Sequence, residues 1–315
     1  MSSKKILLVL GATGKQGNSV ISHVLNDSKA SQQFKIRGVT RDTSKPAAKA
    51  LEAKGVETVS ATFDDVDSLK AAMKDVFAVY AMTNYWETMS GDKEYQQGVN
   101  IVDAAKQSKV EHLILSVLKD VNKLSKGEFP HVYHFDAKAR IGDYAKSSGV
   151  PTTFFLPGFY MDNLTSNIAP YDGKWTFGAV FSEKAPIPLF DAAKDTGLFV
   201  KAILLNREKT LGKEVLGATD YYTPLRMVEE FKKAKPEAGK DLTFNQLPVD
   251  VFKQILQGQG MPPVVQDELL ENMLFMEPYG YYGGESLDFS HGLLDESPTT
   301  FEEYVASEPK WKDVK

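Results

Sequence analysis

The chain of 315 residues contains no cysteine. A disulfide framework, a thiol nucleophile and a thiolate metal site are therefore excluded, and redox sensing through thiols with them. No stretch approaches the roughly eighteen consecutive apolar residues of a membrane span, and the N-terminal apolar run is too short and too early for a secretory leader. The expectation is an intracellular protein with no membrane contact. Long Lys/Arg runs are missing as well and the formal net charge is −5, so a direct nucleic-acid footprint, which needs many phosphate contacts, is not expected. Internal repeats and low-complexity tracts are absent. The most biased stretch, Tyr279-Gly280-Tyr281-Tyr282-Gly283-Gly284, is read as a loop packing its tyrosines against the fold rather than as a pocket lining. What remains is an ordinary 42% hydrophobic content, enough to bury the core of one large domain with an appended lobe.

The rest of the chain is organised around its N-terminal stretch. Lys4 to Leu10 is an apolar run of strand length that ends on Gly11-Ala12-Thr13-Gly14-Lys15-Gln16-Gly17, and Val20, Ile21, Val24 and Leu25 then resume at helical spacing. The pattern predicts strand, turn and helix. Gly11 permits a tight exit from the strand, Gly14 lets a diphosphate approach bare backbone, and Gly17 lets the helix pack close on the strand. The free N–H groups at the start of the helix would face the anion.

A second strand, Phe34 to Thr40, is followed at once by Arg41. In a βαβ unit an acidic residue near this point suits the ribose 2′-OH of NAD, and a basic one suits the 2′-phosphate of NADP, so NADP(H) is the expected cofactor. Lys45 follows closely and Lys49 one helical turn later, although a solvated helix face explains both lysines equally. Strand Val56–Ala61 leads to Asp64, which either borders the adenine or belongs to an N-capping acidic cluster with Asp65 and Asp67. The fourth strand, Phe77–Met82, ends in Thr83-Asn84-Tyr85-Trp86-Glu87, polar and aromatic groups where ligands of open α/β sheets sit. A helix over 94–108, strand His112–Ser116, a long polar connection over 117–130, a helix opening at His131-Val132-Tyr133-His134-Phe135-Asp136-Ala137-Lys138 and strand Thr152–Leu156 complete a doubly wound parallel sheet of Rossmann type.

From Pro157 the alternation stops. Residues 1–156 read as the nucleotide-binding domain and 157–315 as a smaller α+β lobe for substrate or partner, with part of 196–222 returning to the main sheet. Within the lobe 173–177 and 186–190 read as edge or hairpin pieces, 196–205, 223–234, 249–256, 264–276 and 299–306 as helices, and 214–218 and 242–247 as strands.

These residues resemble the NmrA-like family of atypical short-chain dehydrogenase/reductases over essentially the whole length. The similarity is most specific at Gly11–Gly17, Val39-Thr40-Arg41, Thr83–Glu87, His134–Lys138 and Pro157–Leu164, and the Thr83–Glu87 and His134–Lys138 strings are closest to the animal redox-sensor branch. The resemblance implies NADP(H) binding, a regulatory role exerted on a protein partner such as a transcription factor, a homodimer as a further assembly, and residence in cytosol and nucleus. It further implies that the diphosphate contacts Gly11, Ala12, Thr13, Gly14, Lys15 and Gln16, that Arg41 takes the 2′-phosphate, and that Thr83, Asn84, Tyr85, Lys138 and the loop Tyr160-Met161-Asp162-Asn163 surround the nicotinamide.

Active short-chain dehydrogenases use Tyr-x-x-x-Lys, in which the phenol exchanges the proton and the ammonium lowers its pKa. Counting back from Lys138 gives His134, and Tyr133 is one residue early, which on a helix turns its side chain by about 100°. The missing tyrosine favours a cofactor-binding regulator without hydride transfer. The alternative is a reductase of the isoflavone-reductase type with Lys138 itself as acid/base.

Overall fold

In the computed structural model, which describes residues 4–314, the N-terminal two-thirds alternates strand and helix. The elements used below are β1 (Lys5–Val9), α1 (Lys15–Asn26), β2 (Phe34–Thr40), α2 (Pro46–Glu52), β3 (Glu57–Ser60), α3 (Val66–Ala72), β4 (Val76–Ala81), α4 (Gly91–Gln107), β5 (His112–Ser116), α5 (Tyr133–Ser148), β6 (Thr152–Pro157), α6 (Asp195–Leu205), β7 (Glu214–Gly217), α7 (Pro224–Ala234), α8 (Val249–Gly258), α9 (Pro263–Leu274) and α10 (Phe301–Ser307). The strands form one seven-stranded sheet in the order β7-β6-β5-β4-β1-β2-β3, with every pairing parallel. The sequence reaches this arrangement because both faces of the central strands are apolar. Leu7, Val9, Ala78, Tyr80 and Ile114 enter one buried cluster, while Ile6, Leu8, Val79, Ala81 and Leu113 enter the other, the period-2 alternation of a sheet covered on both sides.

The second lobe is built from short strands. Ile187–Phe190 pairs in parallel with Phe159–Tyr160 and antiparallel with Asp220–Tyr222, and Lys174–Ala179 pairs antiparallel with Ile168–Tyr171 and in parallel with Thr243–Gln246. One buried cluster runs without a break from Leu8 and Leu113 of the sheet to Tyr222, Phe231 and Phe301 of this lobe. Helix α10 starts on a capping box, Thr300 with Glu303.

Three expectations change in detail. The connection after β5 is not a bare loop: Val121–Leu124 is a short helix whose first N–H groups are held by Asp120 and Asp136, and Val117, Leu118 and Val121 are buried. The helix expected over 264–276 stops at Leu274, and a separate turn spans Met276–Tyr279. Short strands such as Asp220–Tyr222 were invisible to periodicity because three residues carry too little pattern. The tyrosine-rich stretch does pack on the sheet end, where Tyr282 Oη donates to the Leu156 carbonyl at 3.0 Å and both Tyr281 and Tyr282 are buried.

Between β1 and α1 the chain turns through Gly11 at φ +64°, a left-handed conformation open to glycine. A Cβ at Gly17 would lie 2.3 Å from the Gly11 carbonyl oxygen and 2.8 Å from Ala12 Cα, both of them backbone that cannot swing aside. Gly17→Ala is accordingly expected to destabilise the fold by about 1–3 kcal/mol, read as a lower urea midpoint with an unchanged slope.

Candidate functional site

The candidate site lies at the carboxyl ends of the parallel strands. Helix α1 begins at Lys15 with Gly14 as its N-cap, and neither a capping side chain nor an acidic residue is present in its first turn. Its N–H groups and its positive dipole end are thereby left for an external anion. Gly14 is exposed, at φ −82° and ψ 172°, and an added Cβ would meet only the Gly11 oxygen at 3.3 Å. Ala12 is buried and its N–H donates to the Val39 carbonyl at 3.2 Å, tying the turn to β2, whereas Thr13 is exposed. The Gln16 side chain faces the fold: Tyr80 Oη donates to its Oε1 at 2.6 Å, and its Nε2 donates to Tyr160 Oη at 2.5 Å. Lys15 is paired with Asp162, so the loop Tyr160–Asn163 is docked by two residues on the first turn of α1. Met161 in that loop is fully buried and Asn163 is exposed.

Arg41 follows β2 directly, with its side chain 76% exposed, and is paired with Glu87 of the turn after β4. Lys45 is the exposed N-cap of α2 and Lys49 pairs with Glu52 on the same helix. Asp64 is occupied within the chain: Lys93 lies 2.7 Å from its carboxylate and Gln97 Nε2 donates to it at 3.1 Å. Both partners hold that carboxyl below its ordinary range. Asp65, and not Asp64, caps α3.

Beyond β4 the site contains two carboxylates with no exposed side-chain surface. Glu94, on the first turn of α4, is paired with Lys138 of α5 and accepts from Thr83 Oγ1 at 2.7 Å. Helices α4 and α5 can approach this closely because residue 98 is glycine, where a Cβ would fall 2.4 Å from Ile141. Glu268, on α9 of the second lobe, accepts from the His134 N–H at 2.8 Å and from His134 Nδ1 at 2.7 Å. Its neighbour Glu271 accepts from the His131 N–H at 2.7 Å and from His131 Nδ1 at 2.5 Å. Tyr85 is buried against Trp86 and His134, at ring distances of 5.1 and 6.0 Å, and burial with Glu268 nearby pushes its phenol far up. Asn84 is exposed between them. Glu94 Oε2 and Glu268 Oε2 have no hydrogen-bond partner among the described residues.

The structure thus gathers Gly11–Gly17, Arg41, Thr83–Tyr85, Lys138 and Tyr160–Asn163 at one end of the sheet, and leaves Lys45 exposed at the rim and Asp64 tied to α4. Glu94 and Glu268 were not foreseen as site residues, and Glu87 was read only as the last member of the cluster after β4, without its pairing to Arg41. The first two carried a signal: Glu94 shares a helical face with Gly98, Ile101 and Ala105, and Glu268 shares one with Val265 and Asn272, which puts a charge on each buried stripe.

The sheet order, with a glycine turn leading from its central strand into an uncapped helix, defines a Rossmann-class α/β protein. A profile of the NmrA-like family matches residues 3–305, and the chain belongs to that family. It is 30% identical over 233 residues to the nitrogen metabolite repression protein nmr of Neurospora crassa, a match that takes in 69% of this chain and 47% of that protein, so the chain spans about half of that relative. It is 26% identical to an NmrA-like family domain-containing oxidoreductase of Penicillium ochrochloron, over 77% of this chain and 76% of the other. Among solved structures it superposes on NmrA, a negative transcriptional regulator in complex with NADP, with a TM-score of 0.79 at 21% identity, covering 98% of this chain and 96% of that one.

Breaking a buried ion pair on one side strands the other charge, at about 3–5 kcal/mol. Lys138→Ala should therefore melt well below the wild type, and combining it with Glu94→Gln should recover part of the loss, a coupling that a double-mutant cycle of thermal melts measures. A second expectation concerns acid. Burial lowers the pKa of His134, against the opposing pull of Glu268, so the unfolded chain takes up a proton near its ordinary 6.5 that the folded chain refuses. Stability is present above that value and falls as pH drops through it. Asp136 and Asp195, pushed up to about 6 by burial, act in the opposite sense but do so in any variant that retains them. Going from about pH 7.5 to about pH 5 should lower the urea midpoint of the wild type more than that of His134→Gln.

Proposed function

We propose that the chain is an NADP(H)-binding regulatory protein that acts on a protein partner, such as a transcription factor, in cytosol and nucleus, without transferring hydride. The uncapped start of α1 and the exposed backbone at Gly14 fit a diphosphate, Arg41 fits a 2′-phosphate, and Thr83, Tyr85 and Lys138 are the residues assigned in this reading to the nicotinamide side. The cofactor supplies hydride chemistry where an enzyme also offers a proton. Here the observation that carries the reading is that both side chains at the dehydrogenase spacing are already committed, His134 to Glu268 and Lys138 to Glu94, each carboxylate fully buried. A relative named for nitrogen metabolite repression and a structural neighbour described as a negative transcriptional regulator with NADP support the same reading. The relatives named oxidoreductases support the alternative, a reductase with Lys138 as acid/base.

Calorimetric titration of oxidised and reduced cofactors separates the elements of this proposal. The charge-assisted contact from Arg41 is expected to favour NADP(H) over NAD(H) by about ten- to a hundred-fold, and Arg41→Ala to abolish the preference. Gly14→Val, at a backbone conformation open to any residue, should keep the circular dichroism spectrum and lose the cofactor. Equal affinities in the wild type would overturn the cofactor assignment. Steady NADPH oxidation with any member of a carbonyl and enone panel, lost in Lys138→Ala/Glu94→Gln, would replace the regulator by the reductase.

A further inference from the structure

Three basic side chains of the candidate site are each held by a carboxylate: Arg41 by Glu87, Lys15 by Asp162 and Lys138 by Glu94. The first of these pairs differs from the third in burial. Glu94 has no exposed side-chain surface, but the Arg41 and Glu87 side chains are 76% and 50% exposed. Exposed ion pairs are weak, whereas a phosphate dianion offers the same guanidinium a stronger, bidentate partner. The topology makes the pair more than a surface ornament, because β1 lies between β2 and β4 in the sheet, so Arg41 and Glu87 join the ends of the two strands that flank the glycine turn.

Glu87 ends a short turn, Tyr85–Glu87, whose Trp86 ring packs against Tyr85 and His134 while its outer face meets solvent. Trp86 and Met89 are 43% and 56% exposed, and Met89 sits at φ +50°, a left-handed conformation strained for a side chain of its shape. The turn is anchored inward by Tyr85, which is buried, and outward by the Glu87 pair.

We propose that Glu87 is a specificity-determining residue that competes with the 2′-phosphate for Arg41, so that 2′-phosphorylated nucleotides, and not their unphosphorylated counterparts, free the turn carrying Trp86. The inference rests on the reading that Arg41 receives the 2′-phosphate. A phosphate on Arg41 places two like charges beside each other if Glu87 stays, and the turn moves away. A nucleotide with a free 2′-OH leaves the pair intact. Only the 2′-phosphorylated form then has differential affinity for the two positions of the turn, which is the condition for shifting them. Trp86 and Met89 are the apolar surface whose presentation changes.

The experiment uses adenosine 2′,5′-diphosphate and adenosine 5′-diphosphate, which differ only in the 2′-phosphate, beside NADP⁺ and NAD⁺. Wild type, Arg41→Ala, Glu87→Gln and Trp86→Phe are titrated by calorimetry and by tryptophan emission. Glu87→Gln is expected to bind both 2′-phosphorylated ligands up to about five-fold tighter, as loss of an exposed competing charge allows, and the other two ligands unchanged. Wild-type emission is expected to change with adenosine 2′,5′-diphosphate, not with the 5′-diphosphate, and the change to vanish in Trp86→Phe. If Arg41→Ala loses the 2′-phosphate preference while Glu87→Gln binds like wild type, or if the emission change is equal for both diphosphates, the inference is overturned and the cofactor reading stands. If Arg41→Ala keeps the preference, the cofactor reading itself falls.

Discussion

A carboxylate without exposed surface must find cations or donors, because leaving one charge of a buried pair uncompensated costs about 3–5 kcal/mol. Two such groups meet at the carboxyl end of the sheet, and the arrangement of the site follows from how each is satisfied. Glu94 binds α4 to α5 through Lys138 and binds both to the end of β4 through Thr83. Glu268 reaches in from the second lobe to the start of α5. Three segments far apart in sequence are thereby fixed around one volume. Helices α4 and α5 can meet this closely only because Gly98 removes the side chain that would strike Ile141.

Helix α9 deserves to be seen as a cap. Its Glu268 and Glu271 stand three residues apart on one face, accept the N–H groups of His134 and His131, and place negative charge at the positive end of α5. The second lobe is thus fastened to the helix that carries Lys138, and a displacement of α9 would take the acceptors from the His131 and His134 N–H groups and uncover the buried Glu268 carboxylate.

The parallel sheet was legible because its central strands β1, β4 and β5 are apolar on both faces and alternate with helices that carry an apolar stripe. The glycine turn was legible for the same reason, since its function depends on local backbone. Residues 117–130 misled because a polar composition says nothing about Asp136, which lies beyond the segment and holds the first N–H groups of Val121–Leu124. Glu268 was harder still: its partner His134 lies 134 residues earlier, and only the odd carboxylate on an apolar face marked it. The pairing of Arg41 with Glu87 depends on β1 lying between β2 and β4, a property of the assembled sheet and not of either segment.

The same carboxylates bear on the missing tyrosine. A dehydrogenase needs its phenol in a positive field, so that the pKa falls towards the working pH and proton exchange becomes fast. Two tyrosines of this region, Tyr133 and Tyr85, experience the reverse. Tyr133 opens α5 with its ring beside His131, and burial together with Glu268, Glu271 and Asp267 raises its pKa. Tyr85 is driven higher by burial and Glu268. The Lys138 ammonium, which in a dehydrogenase lowers the pKa of the phenol, is here paired with the buried Glu94. A tyrosine at 134 would lose the contact that His134 Nδ1 makes with Glu268, because a phenol oxygen lies farther out along the side chain than Nδ1, and Lys138 would still be paired with Glu94. A fully buried carboxylate thus stands on each of the two side chains at the dehydrogenase spacing, so the electrostatics of the site bears on its chemistry as much as the identity of one side chain does.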